Sequence, residues 1–76
     1  PQDRIEMANH NVAKVIEIVG SSKKGWAEAA DAAVQAASKS INHISGVHVG
    51  AMTAQVKDGR IDTYKTTVKI AFGVED

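Results

Sequence analysis

The chain has 76 residues, nine of them basic and nine acidic, and no cysteine. A chain this short makes one domain, and its own core is expected to supply only about 3–5 kcal/mol of stability. Disulfides and thiolate metal sites are excluded, which leaves oligomerisation as the most economical additional support. Zero net charge argues against a nucleic-acid binder that neutralises many phosphates and against a basic membrane-surface module.

Residues 1–11 are polar and lack the apolar central run of a signal peptide. They are expected to be a disordered tail, with residues 12–76 forming the domain. No apolar stretch approaches the roughly 20 residues that span a bilayer. The expected location is the cytoplasm.

Residues 12–19 hold the first strand signal, a β-branched run carrying two charges, Lys14 and Glu17. Alternation puts these charges on opposite faces, so one must meet a partly buried region or a subunit contact. Gly20-Ser21-Ser22 reads as the break after the strand, with Ser21 or Ser22 as helix cap. From 23 to 42 the composition turns to alanine and polar helix formers. Trp26, Ala30, Ala33, Val34, Ala37 and Ile41 form one apolar stripe, opposite Glu28, Asp31, Gln35 and Lys39. An alanine-rich stripe lets a helix lie close to its neighbour.

Asn42-His43 and Ser45-Gly46 loosen the chain, and a strand follows over 47–57. Asp58-Gly59 predicts a tight hairpin turn. The last strand, over 60–74, carries Tyr64, Thr66, Val68, Ile70, Phe72 and Val74 on one face, and Lys65, Thr67, Lys69 and Ala71 on the other. The first face is expected to pack on the helix. The fold class is therefore α+β: β-α-β-β, a three-stranded antiparallel sheet partly wrapped around one helix. Long strands with open edges associate readily, and closed symmetric assembly would satisfy them.

The run Lys14-Val15-Ile16-Glu17-Ile18-Val19-Gly20-Ser21-Ser22, then Gly25-Trp26 and Glu28-Ala29-Ala30, resembles the opening of the dodecins. Lys57-Asp58-Gly59-Arg60, Tyr64, Val68-Lys69-Ile70-Ala71-Phe72 and Glu75-Asp76 resemble their hairpin and C-terminus. The likeness runs without gaps from about Ala13 to Asp76. It implies a sheet that half-encloses the helix, and a hollow homododecamer of cubic symmetry with trimer contacts. It also implies a non-enzymatic role in storing and protecting flavin, FMN being the expected ligand, bound as stacked ring dimers near a two-fold axis. Some members are associated with coenzyme A, and one carries a calcium site.

Two positions depart from that pattern. Many flavin-binding dodecins stack a tryptophan from the start of the second strand on the ring; Gly46 stands there. They hydrogen-bond the ring edge through a glutamine after the third-strand tyrosine; Lys65 stands there. His48 shares strand parity with Gly46 and is the candidate replacement contact, so the expected cofactor residues are Gly46, His48 and Lys65. Lys65 is a cation in place of a neutral group; it either extends into solvent or holds a phosphate or carboxylate. The alternative reading is a shell of the same architecture that has lost flavin and binds another small anion or a metal ion, or serves only as an assembly.

The other conspicuous residues have plainer accounts. Trp26 lies in the helical stripe and reads as core or interface. His10, His43 and His48 fit no compact metal spacing, and a surface or interface histidine is the plainer reading of His48. Asp58-Gly59 lacks the acidic spacing of a calcium loop. Gly20-Ser21-Ser22-Lys23-Lys24-Gly25 lacks the spacing of a phosphate-binding loop and retains only weak anion affinity at a helix N-terminus. An intersubunit ion pair accounts for Lys14 and Glu17. No nucleophile–base pair or paired carboxylates can be assembled, so an enzyme ranks last.

Overall fold

The computed structural model describes residues 13–73. The expected tail over 1–11, Val12 and Val74 lie outside the described residues. The elements are β1 (Ala13–Ser22), α1 (Trp26–Ser38), β2 (Ile44–Lys57) and β3 (Arg60–Gly73). The sheet order is β1-β3-β2, and both neighbours run antiparallel to β3. The C-terminal strand is thus central, and α1 is the crossover between two edge strands of common direction. This is the expected β-α-β-β architecture.

The core is narrow. Ala33 and Ala37 of α1 pack with Val68 and Ile70 of β3, all buried, and Ala29, also buried, lies over Gly20 of β1. Ile16, Ile18, Ala30, Val34, Ile41, Ile44 and Phe72 pack around Ala33, Ala37, Val68 and Ile70. Thr66 is fully buried beside them, and its hydroxyl donates to the Trp26 carbonyl at 2.8 Å. That bond satisfies the polar atom that burial would otherwise strand, and it ties the start of α1 to the central strand. The face expected on the helix is the one found there, with Thr66, Val68 and Ile70 at its centre.

Three expectations are corrected. Gly20-Ser21-Ser22 does not break the first strand: these residues pair with Thr66, Lys65 and Tyr64. Gly20 serves contact rather than a turn. A Cβ there would lie 1.9 Å from the Ala29 carbonyl oxygen, so only glycine lets the backbones of strand and helix approach this closely. Neither Ser21 nor Ser22 caps the helix. The N-cap position is Gly25, without a side-chain cap, and the Ser22 hydroxyl instead accepts the Lys24 N–H at 2.9 Å. The helix itself is shorter than expected, 13 residues. It ends where the Ser38 hydroxyl bonds the Val34 carbonyl and Lys39, Ser40 and Ile41 turn their N–H groups back to Ala36 and Ala37. Ile41 still reaches the core from this turn, which is why the apolar stripe runs past the helix end.

β2 begins at Ile44, three residues earlier than expected, because pairing with Phe72 recruits the loop. The Asp58-Gly59 turn is as expected. Both residues have positive φ, 54° and 77°, and Lys57 pairs with Arg60 across them, the type I′ arrangement.

A 13-residue helix is about 20 Å long, whereas a 14-residue strand reaches about 46 Å. The helix therefore covers less than half of the hairpin. Val47, Val49, Met52, Val56 and Ile61 are left 42–67% exposed.

Candidate functional site

Register settles which residues share the face turned away from the helix. Three rows cross the sheet from β1 through β3 to β2: Val15–Ala71–Gly46, Glu17–Lys69–His48 and Ser21–Lys65–Thr53. All three expected cofactor residues lie on this face. Gly46 and His48 are two positions apart on one strand, about 7 Å. Lys65 is not with them. Gly46 pairs with Ala71, six residues along β3 from Lys65, a separation of about 20 Å. One planar ring cannot touch both within a single chain, so a site using both needs a second copy.

The floor around Gly46 is open and apolar. Nothing lies within 4 Å of a Cβ placed there. Ala71 lies beside it and Val15, 60% exposed, lies beyond. Glu17, Lys69 and His48 form the polar row along one side. At the other end Lys65 is half-buried between the hydroxyl residues Ser21 and Thr53, and it forms no ion pair with the described residues.

Trp26 is half-buried and occupied elsewhere, outside the core cluster. Its indole N–H donates to the Thr53 carbonyl at 2.8 Å, and its ring meets Tyr64 edge-on, with centroids 4.8 Å apart at 82°. It clamps the start of α1 to β2 and β3. Nearby, Lys23 and Asp62 form an ion pair at 2.9 Å. The Lys23 hydrogen bond, helped by that of Thr63, holds the Asp62 carboxyl below its ordinary 3.8.

Among the described residues no three His, Asp or Glu side chains come together to hold a metal, and no helix is long and apolar enough to cross a membrane. Lys14 and Glu17 lie on opposite faces, Lys14 opposite Phe72 on the helix side and Glu17 opposite Lys69 on the other. Sequence reasoning missed one feature, a cleft of ≈ 350 Å³ on the helix side that Lys14, Ser40, Ile41, Asn42, His43 and Phe72 line. The Lys14–Phe72 contact that builds it is set by register between distant strands and has no local signal.

Residues 12–75 match the family described as Dodecin. The dodecin of Streptomyces coelicolor superposes with a TM-score of 0.86 at 30% identity, over 92% of this chain and 99% of that one. The dodecin of Streptomyces davaonensis gives 0.84 at 28% identity, over 91% and 100%. An arginine-to-alanine mutant of the Thermus thermophilus dodecin gives 0.82 at 26% identity, over 86% and 97%. No curated protein matches at comparable significance.

Proposed function

The chain belongs to the dodecin family, and from that premise we propose that it binds and stores a flavin, FMN, in a closed assembly of twelve copies. The fold and family support a small-ligand-binding protein; flavin and the twelvefold shell are the specific reading. The observation that carries it is the open floor at Gly46. With nothing within 4 Å of a Cβ there and Ala71 and Val15 alongside, the position leaves a flat apolar surface on which a ring can lie without a tryptophan.

Assembly is supported by what the described residues leave uncovered: two open sheet edges and an apolar strip along the hairpin. It is also supported by the separation of Gly46 from Lys65, which two copies can bridge and one cannot. Lys65 favours FMN over riboflavin, because a half-buried lysine without an acidic partner among the described residues suits a phosphate. The role is binding rather than turnover, and the compartment is the cytoplasm.

Titration of ligand-stripped protein with FMN and with riboflavin, followed by flavin fluorescence, tests this. Quenching by both, with FMN binding about tenfold tighter and Lys65→Gln erasing that difference, is the expected result. No quenching by either flavin from an intact assembly would leave the alternative, a shell holding a different small anion; Lys65 is the observation that favours it.

A further inference from the structure

The ≈ 350 Å³ cleft lies on the helix side of the sheet, behind the face that carries Gly46, His48 and Lys65. It forms where the turn after α1 passes over the paired ends of β1 and β3. Its size falls within the range of small-molecule sites, about 300–1,000 Å³. Ile41 and Phe72 give it an apolar wall; Lys14, Ser40, Asn42 and His43 give it a polar rim, and none of the described residues that line it is acidic. Lys14 forms no ion pair with the described residues. The C-terminal end of a helix ordinarily opposes an anion, but here the Ala36 and Ala37 carbonyls are occupied by the returning N–H groups and Val34 takes the Ser38 hydroxyl.

His43 adds an independent sign. It is a non-glycine residue at φ 63°, a conformation retained only where the surroundings hold it, and one that clusters at ligand clamps. The Gly73 N–H donates to its carbonyl at 3.4 Å, so the end of β3 holds it over the cleft.

We propose that this cleft is a second ligand site, for a small organic anion with a flat apolar body. The anionic oxygens meet Lys14, Ser40 and Asn42, and the body lies on Ile41 and Phe72. The proposal does not rest on the flavin reading, since the two sites lie on opposite faces of the sheet.

Calorimetric titration of the full chain with phenyl phosphate, and a crystal soaked in the same compound, test it. Saturable binding is expected, about tenfold weaker in Lys14→Gln and about tenfold weaker for neutral phenol, with the ring located between Ile41 and Phe72. Asn42→Ala, expected to bind about threefold more weakly, carries the same test should Lys14→Gln not fold. No saturable heat, equal affinity in Lys14→Gln, or a ligand found only on the Gly46 face would overturn the proposal. A protein that binds phenyl phosphate here but quenches no flavin separates this site from the flavin reading.

Discussion

Gly20→Ala is the substitution whose consequence the structure determines most sharply. The added Cβ would stand 1.9 Å from the Ala29 carbonyl oxygen and 2.9 Å from its carbon. Ordinary contact needs about 3.5 Å, so α1 and β1 would have to separate by about 1.5 Å. The obstacle is backbone and cannot swing aside, and Ala29 is fully buried. Overpacking of this kind costs about 1–3 kcal/mol, and the upper end applies because a whole helix must move. Against the 3–5 kcal/mol or so that a core this size provides, most of the chain's own stability would go. Gly46→Ala is the matched control, since its Cβ meets nothing within 4 Å and the change should stay within about 0.5 kcal/mol. Urea unfolding of both variants, followed by Trp26 fluorescence, measures the difference. With a slope of about 1 kcal/mol per molar for a small domain, the Gly20→Ala midpoint should fall by about 2–3 M relative to the control. Equal midpoints would refute the claim that close strand–helix approach is why glycine stands at 20.

Thr66→Val keeps shape but removes the hydroxyl that donates to the Trp26 carbonyl. The Trp26 carbonyl keeps its place in the helix ladder, so the loss is that of one hydrogen bond, about 0.5–1.5 kcal/mol, read as a lower urea midpoint. The Lys23–Asp62 pair gives a pH signature. Because the folded carboxyl is held below 3.8, its contribution is present above that value and is lost as the pH falls through the lowered one. Lys23→Gln should therefore narrow the stability difference between pH 6 and pH 2, while an unchanged profile would show the pair to be idle. Gly46→Trp has room for its ring in the open floor and should tighten FMN binding about tenfold or more, through stacking and added apolar contact. Unchanged affinity in an intact assembly would mean that Gly46 does not line the flavin site.

Much of the architecture was legible because its signals are local. Asp58-Gly59 announces a turn in which both residues have positive φ. The alternation along Tyr64–Phe72 separates the helix face from the far one, and the alanine stripe marks a helix that packs closely. What was not legible depends on partners distant in sequence. Gly20 looks like punctuation unless the Ala29 carbonyl above it is known. The Ser22 hydroxyl finds a nearer donor than the helix, so composition alone misplaces the cap. Strand parity puts His48 with Gly46, and register adds Lys65 to the same face. Only register shows that Lys65 sits about 20 Å from Gly46 and about 13 Å from His48, and only register brings Lys14 beside Phe72 to form the cleft.

The central claim, that the helix-distal face holds flavin in a closed assembly, is tested most directly by counting. Ligand-stripped protein would be dialysed to equilibrium against FMN, and the bound flavin per chain measured on the particle sized by light scattering. The account predicts a particle of about twelve chains carrying about one FMN per chain. A particle of that size that retains no FMN would contradict it.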